Sequence, residues 1–183
     1  MNKYHTTSLL IPIIAICLFF SACNNDDDDS ASSNKTDIQL VTGLYARQSP
    51  NMQPLTLGNP NVFMDYNKVS VYPIPTINQL SISANYTHEI EKIWLVPAEE
   101  DKIYQDEDFN AVFNEYTYKE ESISNKAIIQ IEDINATDLS VNLEDKAPGY
   151  YKVFIKIENT IYWDNIYKVG NNENGDEVFN YWQ

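Results

Sequence analysis

Past residue 36 the chain reads as a series of short runs in which apolar and polar positions alternate, the period-two mark of strands with one buried face. In residues 37–45, Ile38 and Leu40 alternate with polar neighbours until Gly43 interrupts. Three prolines and Gly58 between positions 50 and 60 predict a loop. Residues 68–72 predict a short strand stopped by Pro73 and Pro75. Residues 79–83 place Leu80 and Ile82 on one side, and residues 90–97 form a β-rich run closed by its proline. Strands resume at 127–131 and 138–143, and Pro148-Gly149 makes a turn. The clearest hairpin follows. Tyr151, Val153, Ile155 and Ile157 share one face against Lys152, Phe154 and Lys156, and Glu158-Asn159 turns the chain into residues 160–168. Two segments break the rhythm. Residues 99–121, rich in Glu, Asp, Lys and Tyr, read as an insertion or long loop in which residues 108–113 fit one or two helical turns. Residues 178–182, Val-Phe-Asn-Tyr-Trp, read as a last strand or as a segment that docks a partner. Several short strands with no long helical period predict an all-β fold, an antiparallel β-sandwich of the immunoglobulin-like kind, over residues 37–183.

The first 36 residues follow a different pattern. Lys3 precedes a twelve-residue apolar run at positions 9–20, and Ser21-Ala22 then places small residues before Cys23. That order is the order of a cleaved secretory signal, and the run is short of the roughly 20 residues a spanning helix needs. Asn24-Asn25 and four adjacent carboxylates, Asp26, Asp27, Asp28 and Asp29, follow at once. Like charges so close repel one another and resist burial, so residues 24–36 predict a solvated tether. The only other cysteine, Cys17, sits inside the apolar run, which leaves Cys23 without an internal disulfide partner once the signal is removed. The organisation expected is a signal peptide at 1–22, Cys23 with an acidic linker at 23–36, and the β-domain.

Phe20-Ser21-Ala22-Cys23 resembles the bacterial lipobox, with Phe20 where Leu is usual. The resemblance implies cleavage before Cys23 and its acylation, which would cover a thiol without an internal partner and anchor the chain at about 0.8 kcal/mol per buried methylene. Cys23, two intervening residues and then Asp26, Asp27, Asp28 and Asp29 resemble the export signal of Bacteroidota-type surface lipoproteins. It implies passage to the outer leaflet of the outer membrane. A further resemblance covers roughly residues 68–169. Val71-Tyr72-Pro73-Ile74-Pro75-Thr76, then Leu80-Ser81-Ile82, is similar to the opening of the C-terminal sorting domain of type IX secretion cargo. Residues 90–96, 139–143 and 148–168 resemble its later strands, turn and closing hairpin. Ile74 stands where that family has Asn, residues 99–126 are inserted, and residues 170–183 run past its usual end. The resemblance therefore implies the sandwich more than the sorting role.

Composition narrows the chemistry. Twelve Lys and Arg against 27 Asp and Glu give a net charge of −15, a field that repels phosphate backbones and excludes nucleic acid as a natural partner. Beyond the signal, His88 is the one histidine, and neither a Gly-x-Ser-x-Gly elbow nor a Cys–His pair is available. Residues 106–111 begin like a calcium loop, but Ala111 stands where Gly is needed and Thr117 where Glu should close it. No cofactor and no metal is expected, and a paired-carboxylate enzyme has only the abundance of acids in its favour. The aromatics remain. Trp94, Trp163, Tyr181 and Trp182 are the residues to expect on a ligand platform if exposed, although aromatics at strand positions usually belong to the core. The function expected is a lipid-anchored, non-catalytic surface module, held to the membrane by its N-terminal lipid and binding a glycan or host protein. The alternative is a structural accessory of the outer envelope or of a secretion machine.

Overall fold

A computed structural model describes residues 34–170 and 173–183; the signal, Cys23 and the four aspartates Asp26, Asp27, Asp28 and Asp29 lie outside the described residues. Two antiparallel sheets carry the architecture, beside a short parallel pair of β1 (Leu40–Val41) with β7 (Glu99–Glu100). One contains β4 (Val69–Tyr72), β5 (Gln79–Ala84) and β9 (Asp138–Asn142), with β5 in the middle. The other runs in the order β11 (Thr160–Lys168), β10 (Gly149–Ile157), β6 (Ile90–Pro97) and β8 (Ile129–Ile131). The β10–β11 hairpin pairs from Gly149 opposite Lys168 to Ile157 opposite Thr160, the register its alternation predicts. Val71, Leu80, Ile82 and Val141 of the first sheet meet Ile93, Val153, Ile155 and Ile166 of the second in one buried cluster. The period-two alternation thus becomes a sandwich core, in which removing a Leu or Ile side chain costs about 2–5 kcal/mol. The proline box leaves β4 through two cis peptides, Tyr72–Pro73 and Ile74–Pro75.

The outer face of the four-stranded sheet is also covered. Trp94, Val96, Phe154, Ile161 and Trp163 project there and are met by Phe109, Phe113, Tyr118 and Ile123. Phe109, Phe113 and Tyr118 come from residues 99–121, expected to be an insertion or long loop, and Ile123 lies just past them. The segment folds as a cap: the helical turn expected within 108–113 is α1 (Phe109–Val112), capped by the Asp108 side chain, and a second, α2 (Glu120–Ser124), follows. Its physical cause is the sheet itself, since a face bearing two tryptophans must be covered. The Trp94 indole N–H donates to Ser124 Oγ at 3.0 Å, which ties α2 to β6.

Two other expectations are corrected. Between Pro50 and Pro60 the chain is not all loop: β3 (Leu55–Gly58) pairs with β2 (Gly43–Ala46) as an antiparallel hairpin. Residues 178–182 are not a strand but most of a helix, α3 (Asp176–Trp182), whose Val178 and Trp182 lie one turn apart and bury against Leu44, Leu57 and Tyr150. Gly58, at φ +63°, makes that docking possible: a Cβ there would lie 2.4 Å from the Trp182 ring.

Candidate functional site

The tryptophans form no ligand platform. Trp94 and Trp163 are completely buried between sheet and cap, and Trp182 is buried between α3 and the β2–β3 hairpin, its indole N–H donating to the Tyr150 hydroxyl at 3.1 Å. Of the four aromatics expected at a binding surface, only Tyr181 reaches solvent, at 36% exposure, with the Lys102 amine 5.3 Å from its ring centre. The four are not brought together, because a Trp buries more apolar area than any other side chain and gains most inside.

A different pair of aromatics opens onto a cleft. Tyr45 and Arg47 extend from β2 and its end, and Tyr66 precedes β4. The Arg47 guanidinium carbon lies 4.0 Å from the Tyr66 ring centre, and the Tyr45 and Tyr66 rings meet edge to face at 6.1 Å. With Pro50, Met52 and Pro54 these residues wall a cavity of about 400 Å³. Tyr66, Pro50 and Asn51 also wall a second cavity of about 260 Å³, whose remaining lining is mostly polar: Asn67, Lys68, Ser70, Ser83 and Asn85. The two hollows share a wall and make one cleft, apolar on the Met52 side and rich in amides and hydroxyls on the Asn85 side. Met52 is 50% exposed and Tyr66 39%, so two large apolar side chains that the core has not taken up stand in its wall.

Buried charge supports this surface from beneath. Arg47 Nη2 lies 3.2 Å from Asp164 Oδ2, and both side chains are withdrawn from water. Burial pushes the Asp164 carboxyl up to about 6, against the opposing pull of Arg47, the Asn165 N–H and Tyr66. Although part of Tyr66 is exposed, its hydroxyl end sits among protein near Asp164. Lost hydration first, and that negative charge second, drive its pKa upward. Arg47 Nε is buried and has no partner among the described residues. The residue is therefore locked in charge and position, and it holds the Tyr66 ring from one side.

The other hollows are less promising. The cavity beside Asp37 and residues 99–101 measures about 290 Å³ and is walled largely by carboxylates. No group of three or more His, Cys, Asp or Glu among the described residues could hold a metal ion. His88 Nδ1 lies 3.3 Å from Glu158 Oε1 at the surface, where the pair has the ordinary look of an exposed contact. Asp164 lies beneath the Tyr66 cleft in its pair with Arg47, and no Asp or Glu is among the described residues that line its two hollows.

Sequence reading missed Tyr45, Arg47 and Tyr66. One signal was available: Arg47 is the chain's single arginine beside eleven lysines. Among the described residues no helix is long and apolar enough to cross a membrane. No protein-family model matches the chain, and no curated protein sequence matches it. Among solved structures, the soluble domain of PmoD from Methylocystis sp. (Rockwell) is similar at a TM-score of 0.37 and 10% identity, over 59% of this chain and 96% of that one.

Proposed function

We propose that the protein is a lipid-anchored, surface-exposed and non-catalytic binding module whose ligand, a glycan, lies across Tyr66. The observation that carries this reading is the composition of the cleft. A fixed aromatic ring offers a face or edge to sugar C–H groups, and beside it stand amides and hydroxyls able to exchange hydrogen bonds with sugar hydroxyls. Its volume is that of a small-ligand site, whereas a protein partner ordinarily covers about 800 Å² per side. The lipobox-like Phe20 to Cys23 and the acidic run Asp26 to Asp29 support the anchored, outward-facing placement. The immunoglobulin-like form of the sandwich is part of the same proposal. It is supported by the Tyr151 hydroxyl, which donates to the Ala147 carbonyl four residues upstream at 2.6 Å, as corner tyrosines do in such folds.

Two measurements test the reading. Protease added to intact cells is expected to shave the wild-type protein and to spare a variant with Asp26, Asp27, Asp28 and Asp29 replaced by Ala. Protection of both would mean a periplasmic protein. On a glycan array the wild-type chain is expected to retain specific sugars that Tyr66→Ala does not. An array on which Tyr66→Ala and wild type bind alike would remove the cleft from the account.

A second reading is favoured by the sheet edges. β8 and β9 each end a sheet, and most of β9 faces outward, so a strand from an envelope partner has somewhere to pair. Crosslinks concentrated on residues 138–142 would support that accessory role.

A further inference from the structure

We infer that the hollow between α3 and the β10–β11 hairpin is a second binding site, which takes a small organic cation by a methylated ammonium head of the choline kind. It stands apart from the Tyr66 cleft and does not rest on the glycan reading. Tyr150 and Tyr167 lie directly opposite each other on β10 and β11, while Glu177 and Tyr181, four positions apart on α3, share a helix face. With Glu100 of β7 and Val178 they wall a hollow of about 160 Å³. Small-ligand sites ordinarily span about 300–1,000 Å³, so this one accepts a head group and no sugar chain. The ring centres of Tyr167 and Tyr181 lie 4.9 Å and 6.5 Å from that of Tyr150, and their planes are inclined to it by 59° and 54°. Rings inclined in this way bound a concavity rather than stack flat against one another.

Charge selects the occupant. Neither the Glu100 nor the Glu177 carboxylate has an ion-pair or hydrogen-bond partner among the described residues. Burial drives the phenol pKa values of Tyr150, Tyr167 and Tyr181 upward, and the Glu100 charge adds to that at each of them. The rings therefore stay neutral inside a negative field, and both attractions favour a cation. Tyr181 already attracts one from this chain: the Lys102 amine lies 5.3 Å from its ring centre and donates to the Gln183 carbonyl at 3.4 Å, without forming part of the hollow's wall. No cation of the described residues stands over Tyr150 or Tyr167. No group of three or more His, Cys, Asp or Glu among them is arranged to hold a metal ion, which leaves an organic one. A bare ammonium would exchange hydration for ring faces that accept poorly, whereas a trimethylammonium has no N–H to leave unsatisfied and packs its methyl groups on the rings. The same two acids repel a phosphate held close behind the head, so a free cation fits where a phosphocholine does not.

The test titrates the full chain calorimetrically with choline, ethanolamine and phosphocholine at low salt. Choline is expected to bind about ten-fold more tightly than ethanolamine, the ratio a desolvated cation–π contact supplies, and more tightly than phosphocholine. Tyr181→Leu keeps an apolar side chain while removing the ring, and Glu177→Gln removes a charge from an exposed position. Each should weaken choline binding by about three-fold or more, with the near-ultraviolet circular dichroism unchanged to show that α3 is still docked. Where Tyr181→Leu undocks the helix, Glu177→Gln alone decides. Ethanolamine binding as tightly as choline would overturn the methylated head and leave only attraction to acids. Tighter binding of phosphocholine would overturn the free cation in favour of a lipid headgroup. No binding at about 10 mM choline, or binding indifferent to the variants, would overturn the site, and none of these outcomes bears on the Tyr66 cleft.

Discussion

Two buried ionisable side chains dominate the energetics at the residue scale, and they respond to pH in opposite senses. Lys152 on β10 is enclosed, with its amine donating to the Leu40 carbonyl at 2.7 Å, and burial pushes its pKa down to about 7. Between pH 7 and the ordinary lysine range the unfolded chain holds a proton that the folded chain lacks, so stability rises with pH across that window. Below pH 7 both states are protonated and the cost of the enclosed charge is present in full. Lys152→Met is expected to raise stability at neutral pH by about 1–3 kcal/mol and to flatten the slope between pH 7 and 10. Urea titrations at several pH values read both, and an unchanged slope would contradict the assignment. Leu40 keeps an acceptor role in that variant, because Asn61 Nδ2 also donates to it at 2.8 Å. Asp164 runs the other way. Its folded pKa, about 6, exceeds that of the unfolded chain, so between pH 4 and 6 the folded state holds the extra proton and stability falls as pH rises. Arg47→Ala should therefore destabilise by about 3–5 kcal/mol at pH 7.5, by stranding the carboxylate, and by distinctly less at pH 5. Equal losses at both pH values would show that packing, not charge, is what Arg47 supplies. None of this was legible from spacing: Arg47 and Asp164 stand 117 positions apart, and no local pattern announces such a pair.

Elements whose stabilisation lies in a period-two apolar stripe were readable, and those stabilised by a distant surface were not. Leu80 and Ile82 of β5, and Val153 to Ile157 of β10, announce their strands because one face meets the opposite sheet. Residues 99–126 carry few apolar positions, and Phe109, Phe113, Tyr118 and Ile123 make sense only once the outer face of β6, β10 and β11 is known. The reading that Phe154 shares a face with two lysines was right about the face and silent on its cover. Residues 178–182 are aromatic enough to suit a strand, but Val178 and Trp182 at helical spacing, with Gly58 left bare to admit the indole, select a helix. The cap offers a direct comparison of forces. Glu120 accepts from Lys156 at 2.8 Å and from Lys92 at 3.1 Å, and the Lys156 contact leads in holding its carboxyl below the usual range. These pairs are part-buried but still reached by water, so Glu120→Gln should cost about 1 kcal/mol. Ile123→Ala, from the completely buried side of the same helix, should cost about 2–5 kcal/mol. Thermal or urea unfolding of the two variants decides the order; a larger loss from Glu120→Gln would mean that ion pairs rather than burial hold the cap.

Across the whole molecule the apolar residues are consumed on three fronts: between the sheets, under the cap, and beneath α3 and the β2–β3 hairpin. The network around Asn61 joins two of them. Its Oδ1 accepts from Thr42 N and Asn165 Nδ2, and its backbone carbonyl accepts from the Trp163 indole, which fastens the first strands to β11. Of the large apolar side chains left exposed, Met52 and Tyr66 wall the cleft, whose two hollows have no Asp or Glu among the described residues that line them, on a chain of net charge −15. That contrast is invisible in composition, which reports the acids and not where they are absent. It is also why a ligand site is placed here rather than at any tryptophan. The direct measurement is an amide-resolved NMR titration of the folded chain with whichever glycan the array retains. Shifts gathering at residues 45–54, 66–70 and 83–85 are expected if the ligand lies across Tyr66. Shifts gathering instead at α3 around Tyr181, or along the free edge of β9, would contradict the cleft and move the binding surface elsewhere.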